Sequence, residues 1–305
     1  MSKTRPYAIL DVFAKTALEG NPLAVILEAD DLDDETMQKI AGEFNLSETV
    51  FVRTPEDPSN DAALRIFTPG KELPFAGHPT VGAAVFLARQ KNGPVDEPTD
   101  AAVVLEERVG LVRAGVVVRP DRTGHATFTV PKKPEEVGPS VSRVLLAEAL
   151  GLHEDDIGFA RHRPAIYSAG NSFTLVPVRS VDAVTSVRPN LTAWDRAFSM
   201  SGATNAFIYA PGGMASDAAF HARMFWPEAG LGEDPATGSA VASLAGAIVD
   251  FDRPGNGTHQ FLIEQGFAMG RPSQMLLEID IENDDIFALR IGGDAVILAE
   301  GTLFV

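Results

Sequence analysis

The sequence predicts an α+β protein of two pseudo-symmetric lobes, each a curled, mostly antiparallel sheet forming a half-barrel around a central α-helix. Three observations lead there. First, a pattern recurs at about half the chain length. Arg65-Ile66-Phe67-Thr68-Pro69 followed by Gly77-His78-Pro79-Thr80-Val81-Gly82 is matched by Arg223-Met224-Phe225-Trp226-Pro227 followed by Glu233-Asp234-Pro235-Ala236-Thr237-Gly238. Pro79 and Pro235 stand 156 positions apart (235 − 79), Arg65 and Arg223 stand 158 apart, and Gly20-Asn21 precedes Gly170-Asn171 by 150. Second, each half holds many short strand-like runs and one long Ala-rich helix, and a helix of small residues is easily wrapped by a bent sheet. Third, 305 residues are enough for two domains of about 150 residues each.

Taken in order, Tyr7 to Phe13 reads as a strand and Leu23 to Leu27 as an apolar run. Asp31 to Phe44 reads as an amphipathic helix, with Asp33, Asp34 and Glu35 crowding its first turn and Met37, Ile40, Ala41 and Phe44 on one face. Thr49 to Arg53 and Ala62 to Phe67 are strands, and Pro79 to Arg89 is the Ala-rich helix with proline near its start. Ala101 to Leu105, Leu111 to Val118 and Ala126 to Val130 are strands between turn-forming residues. Lys132-Lys133-Pro134 begins a linker, and Ser142 caps a helix that runs through Leu150 and closes at Gly151. The second copy starts near Ala165, with a strand from Phe173 to Val178, a helical stretch from Leu191 to Met200 and a strand around Ala206 to Ile208. Its Ala-rich helix covers Ser239 to Val249. Strands follow at Thr258 to Glu264, Met275 to Ile281, Phe287 to Ile291 and Ala295 to Leu298. The expected lobes are residues 1–130, with 293–305 returning to them, and residues 131–292.

Composition narrows the function. A net charge of −17 without any Lys/Arg cluster argues against a nucleic-acid partner. The absence of cysteine rules out disulfides and thiolate catalysis, and the six scattered histidines form no metal-ligand pattern. No apolar run approaches the ~20 residues that span a bilayer, and Met1 to Pro6 carries no apolar signal core, so the cytoplasm is the expected location. There is no dinucleotide fingerprint, phosphate loop or nucleophile elbow.

Each Ala-rich helix follows a Gly- and Pro-rich turn, which gathers backbone N–H groups and the positive helix end at Gly77-His78 and at Gly238-Ser239. If both starts face one cleft between the lobes, they suit a small carboxylate. His78 and Asp234 each precede the matched proline. They are placed to orient a substrate or exchange a proton with it, or else to satisfy a turn and to cap a helix. Ser239 is a hydrogen-bond donor to substrate or a plain helix-start residue. Glu48, in a helix-to-strand turn, falls opposite Thr204 in the other copy. The framework is duplicated and the acid is not, which favours a functional Glu48 over an exposed loop acid. The segment Glu264-Gln265-Gly266 to Met269-Gly270-Arg271-Pro272-Ser273 is distinctive and reads as a hairpin with a Pro-bearing edge.

Asp11-Val12-Phe13, Gly20-Asn21-Pro22-Leu23-Ala24-Val25, Asn45-Leu46-Ser47-Glu48-Thr49, Phe67-Thr68-Pro69, Glu72 to Pro79, Glu233 to Ala240 and Met269 to Ser273 together resemble the PhzF family of phenazine-biosynthesis-like proteins. The resemblance covers nearly the whole chain. It implies a diaminopimelate epimerase-like fold, a homodimer, and a cofactor-independent isomerase of the kind that acts on trans-2,3-dihydro-3-hydroxyanthranilate. It also implies that Glu48 shuttles the proton while His78, Asp234 and Ser239 hold the substrate or assist. Relatives that invert amino acids use two opposed thiols, which this chain lacks. One principal acid fits proton removal and return on a single face. Two other readings remain open: a racemase or epimerase with Glu48 and either Asp234 or His78 as opposed bases, and a non-catalytic protein that binds a small acid.

Overall fold

The computed structural model describes residues 3–139, 141–198, 203–227 and 232–305. The chain divides into two compact units, Met1–Pro131 with Gly292–Val305, and Lys132–Ile291. Both are α+β, as the patterning predicts.

The first unit contains β1 (Thr4–Val12), β2 (Asn21–Ile26), α1 (Asp34–Phe44), β3 (Glu48–Arg53), β4 (Ala62–Phe67), β5 (Glu72–Leu73), α2 (Gly77–Asn92), β6 (Thr99–Glu107), β7 (Gly110–Val118) and β8 (Thr123–Thr129). β1 and β2 are antiparallel, β2 and β3 parallel, and β3 and β4 antiparallel. β4 takes β5 antiparallel and β6 parallel, and β6, β7 and β8 form an antiparallel meander. A parallel pair needs a crossover, and α1 and α2 supply the two here. α2 carries no polar face: its buried residues run from Gly77 to Ala88 around the whole helix. Gly82 shows why its residues must be small. A Cβ there would lie 2.6 Å from Leu23 Cδ2 and 2.8 Å from Val12 Cγ2. α1 instead buries one face, packing Met37, Ile40 and Ala41 against Ile26, Phe51 and Phe67.

The second unit repeats that order of pairings. It contains β9 (Glu135–Glu136), α3 (Arg143–Leu150), β10 (Ala165–Ser168), β11 (Ser172–Pro177), α4 (Val181–Ser186), α5 (Leu191–Phe198), β12 (Ala206–Pro211), β13 (Ala218–Trp226), β14 (Gly232–Asp234), α6 (Gly238–Asp252), β15 (Gly257–Gln265) and β16 (Ser273–Glu282). β10–β11 is antiparallel, β11–β12 parallel and β12–β13 antiparallel; β13 takes β14 antiparallel and β15 parallel, and β15–β16 is antiparallel. α6 is buried on nearly every side, like α2. In each unit an arginine ties the same two strands. Arg65 of β4 bonds Glu72 of β5 and stands 5.3 Å over the Phe67 ring. Arg223 of β13 bonds both oxygens of Glu233 of β14 at 2.8 Å and stands 4.8 Å over Phe225.

The final strand, β17 (Asp285–Phe304), begins in the second unit and ends in the first. There it pairs with β1 from Val12↔Ala295 to Thr4↔Phe304, and it also pairs with β8. The curl predicted for the first unit therefore runs to closure, with β17 joining the two ends of the sheet. A single long strand stands where the sequence suggested two separated at Gly292-Gly293, because neither glycine breaks the ladder.

Two local expectations are corrected. α1 starts at Asp34 and not Asp31, because Asp33 caps it: the carboxylate accepts from the Thr36 amide at 2.8 Å. Ser142 occupies the cap position of α3 without a side-chain capping bond. α4 was not anticipated; Ser180 caps it through the Ala183 amide at 3.2 Å. The end of the helix predicted to reach Met200 lies outside the described residues, and α5 is described to Phe198.

Candidate active site

In the first unit, the crossover through α1 sets β3 beside β2 with Leu23 opposite Glu48, so Glu48 is the first residue of β3 and lies next to the Asn21–Leu23 stretch. His78 is the second residue of α2. Topology brings the two side chains together: Glu48 Oε2 lies 3.3 Å from His78 Nε2, with 12% and 5% of the respective side chains exposed. The other face of the imidazole meets β2. His78 Nδ1 stands 3.4 Å from Asn21 Nδ2, and the ring is hydrogen-bonded to the backbone of Pro22. Asn21 is fully buried. Burial pushes the His78 imidazole down to about 3, against the raising effect of the Pro22 bond, so the ring is neutral at physiological pH.

The start of α2 is open to an acceptor. Its cap residue, Ala76, has no side chain that caps the helix, and its first turn carries no acid. The N–H groups of Gly77 and His78 thus lack the carboxylate or hydroxyl that helix starts usually recruit, as in a site that binds an anion. α6 begins the same way in the second unit, with Thr237 at the cap position, no capping bond and no acid in the first turn.

The turn before α6 is held by a set of side-chain hydrogen bonds. The Thr237 hydroxyl donates to Asp234 Oδ2 at 2.5 Å. Gln265, fully buried at the end of β15, donates from Nε2 to the Asp234 carbonyl at 2.7 Å and to Thr237 Oγ1 at 3.0 Å, and accepts from the Thr237 amide at 3.1 Å. Gly266 follows at φ +81°, where a Cβ would sit 2.2 Å from the Arg271 carbonyl oxygen and 2.6 Å from that of Pro235. The distinctive Glu264-Gln265-Gly266 segment is therefore a clamp on the Asp234–Thr237 turn. Glu264 extends it: its carboxylate accepts from the amides of Met214 and Ala215 and lies 3.0 Å from His221 Nδ1.

The predicted residues are distributed as follows. Glu48, Gly77 and His78 converge in the first unit, and Asp234, Gly238 and Ser239 lie on one turn and helix start in the second. The structure alters one correspondence. The sequence offset matches His78 with Asp234, but the helices begin at Gly77 and Gly238, 161 positions apart (238 − 77). By helix position His78 corresponds to Ser239, whereas Asp234 is the last residue of β14. The reading of Asp234 as a helix cap falls as well, because Thr237 holds that position. Sequence reasoning gave no role to Asn21, Thr237 or Gln265. Asn21 could have been found from the repeated Gly-Asn dipeptide, and Gln265 from its distinctive segment. Among the described residues, no group of three or more His, Cys, Asp or Glu is placed to hold a metal ion, and no helix is long and apolar enough to cross a membrane.

Known proteins resemble this chain along its whole length. The family model described as phenazine biosynthesis-like protein matches residues 10–301. An uncharacterised isomerase of Mesorhizobium japonicum is 43% identical, covering 99% of this chain and 100% of that protein. The trans-2,3-dihydro-3-hydroxyanthranilate isomerase of Pseudomonas fluorescens is 34% identical, covering 97% of this chain and 98% of that enzyme. Among solved structures, the PhzF-family phenazine biosynthesis protein of Bacillus anthracis superposes with a TM-score of 0.86 at 25% identity, covering 99% of this chain and 100% of its own. With this fold, these matches and a Glu–His pair at an uncapped helix start, the chain belongs to the phenazine biosynthesis-like (PhzF) family and is an isomerase.

Proposed function

We propose that this isomerase moves a proton within a small unsaturated carboxylate of the trans-2,3-dihydro-3-hydroxyanthranilate type, with Glu48 carrying the proton and no cofactor taking part. The observation that supports this best is the buried Glu48–His78 contact beside the uncapped start of α2. A proton carrier must be held both as carboxylate and as acid. A neutral imidazole offers one N–H and one bare nitrogen, so when the 3.3 Å contact closes to hydrogen-bond geometry Nε2–H can donate to the carboxylate, and the bare Nε2 of the other tautomer can accept from the acid. Because His78 stays neutral, it supports both states without fixing Glu48 as a permanent anion. The Gly77 and His78 amides bind the substrate carboxylate, whose charge suits the positive helix end. On the second unit, the Gly238 and Ser239 amides are proposed to bind a carboxylate in the same way, with the Asp234 and Ser239 side chains beside them. A conjugated substrate delocalises the carbanion that forms when the proton leaves, so the proton returns at a different carbon. The resemblance further supports a homodimer.

The test is proton NMR in D₂O with a panel of small unsaturated and hydroxylated carboxylates, trans-2,3-dihydro-3-hydroxyanthranilate among them, for the wild type and Glu48→Gln. A new isomer with deuterium at one carbon, reduced about 10²–10⁴-fold in Glu48→Gln, is the expected result, in the range that general acid–base groups contribute. Equal activity in both proteins removes Glu48 from the mechanism. Exchange with inversion at a single carbon replaces isomerisation by epimerisation, and binding without exchange or turnover replaces catalysis by binding.

A further inference from the structure

The first turn of α2 rests on a hydroxyl that has more acceptors than hydrogens. Thr80 Oγ1 lies 2.8 Å from the Ala76 carbonyl oxygen and 2.8 Å from Glu107 Oε1, the last residue of β6. A threonine hydroxyl has one hydrogen, and a carbonyl has none to give. If Glu107 were a carboxylate, one of these two short contacts would set oxygen against oxygen with no proton between them. If Glu107 is an acid, the chain closes without conflict: Glu107 O–H donates to Thr80, and Thr80 donates to Ala76. A second observation agrees. Glu107 Oε2 is buried and has no hydrogen-bond partner among the described residues. A bare, buried carboxylate oxygen carries the desolvation penalty of a charge, whereas the carbonyl oxygen of an acid carries only that of a neutral group.

We infer that Glu107 is a neutral carboxylic acid that positions the start of α2, and with it the Gly77 amide and His78. The β6–β7 hairpin is the base of this support, because the Val109 amide also donates to the Pro74 carbonyl at 3.2 Å, two residues before the helix cap. Burial pushes the Glu107 carboxyl up to about 8. Besides burial, only the Thr80 hydrogen bond acts on it, in the lowering sense. Arg53 of β3, Arg65 of β4, Arg108, Glu56, Asp57 and Glu106 line one surface cavity of about 460 Å³ with Glu107. Arg65 and Arg108 are both paired with Glu72, and Glu106 accepts from the Glu56 and Asp57 amides and from Asn60. His78, the titratable group on the same turn of α2, is neutral. When Glu107 ionises, it takes the Thr80 hydrogen from Ala76, and the turn that carries His78 loses a bond.

The role of this helix start rests on the proposed function, but the protonation of Glu107 can be tested without it. Infrared spectra of the full chain with ¹³C-labelled glutamate, taken across pH, should show a buried protonated-carboxyl band at pH 7. The band should disappear with a midpoint near 8 and be absent from Glu107→Gln. The His78 ring resonances should shift with the same midpoint in the wild type and stay constant in Glu107→Gln, whose amide N–H replaces the acid O–H to Thr80. Activity, where a substrate is in hand, should fall above that midpoint in the wild type relative to Glu107→Gln. No protonated-carboxyl band at pH 7 overturns the inference. So do His78 resonances that titrate alike in both proteins, and so does failure of Glu107→Gln to fold, since Gln supplies the same donor.

Discussion

Replacing Gln265 with Leu should destabilise the second unit and misplace the turn before α6. The side chain is fully buried and makes three hydrogen bonds. Leu fills similar space, so the cavity contribution is small. What remains are a buried Thr237 N–H and a buried Asp234 carbonyl without their partner, and each such group costs about 1–3 kcal/mol. The expected loss is therefore about 2–6 kcal/mol, a large share of the ~5–15 kcal/mol by which proteins are stable. A loss of about 4 kcal/mol lowers Tm by roughly 8–16 °C for a unit of this size. Urea unfolding should show a lower midpoint with an unchanged slope, meaning lost stability and not a changed unfolded state. Gln265→Glu sharpens the test. As an acid it can still donate to the Asp234 carbonyl and accept from Thr237; as a carboxylate it can only accept. Burial raises its folded pKa above the ~4.3 of a free glutamate, so its stability is near that of wild type at acid pH and falls as pH rises. A Leu variant within about 1 kcal/mol of wild type, or a Glu variant with no pH dependence of its own, refutes the clamp.

Two further predictions concern the first unit. His78 has a folded pKa of about 3 against 6.5 when free, so the unfolded chain binds the extra proton between those values. Stability is then complete above pH 6.5 and is lost as pH falls, by about 1.4 kcal/mol per unit. From pH 6.5 to 4, wild type should lose about 3 kcal/mol more than His78→Gln, and parallel curves for the two proteins would contradict the buried neutral ring. Gly82→Ala should cost about 1 kcal/mol net, because overpacking against Leu23 and Val12 costs ~1–3 kcal/mol while helix propensity returns ~1. Adding Leu23→Val, which withdraws the nearer methyl, should recover part of that loss in thermal unfolding, and a Gly82→Ala protein as stable as wild type would argue against the close contact.

Local patterning and local repetition made much of this fold legible. The Ala-rich helices, the meander from Thr99 to Thr129 and the one-sided α1 follow from periodicity that any window of the sequence displays. Glu48 and His78 were identifiable singly, one by its missing counterpart and the other by its place before a helix. Their contact was not, because it depends on a parallel pairing of β2 and β3 through a helical crossover. Asn21 and His78 are 57 positions apart, and no local signal links them. Matching the prolines pairs His78 with Asp234, but Pro79 lies inside α2 and Pro235 lies before α6, so the two prolines are not structural equivalents. Glu107 acts through burial, which leaves no trace in a sequence that gives it ordinary surface chemistry; Gln265 stands in a distinctive segment, but the turn it clamps lies 28–31 positions away.

The placement of β17 has a consequence for how the chain is made. The second unit is one uninterrupted stretch of 160 residues (291 − 132 + 1), while the first is completed only by Gly292–Val305. At ~5–20 residues per second, roughly 8–32 s of synthesis separate β8 from the strand that closes the ring. Throughout that time β1 and β8 each offer an unpaired edge, the feature that lets nascent sheets join the wrong partner. The second unit has no such wait, because none of its strands depends on a distant stretch of chain. The unit that carries Glu48 and His78 is thus begun before the other and completed after it, so its open sheet edges are the ones that need protection while the chain is made.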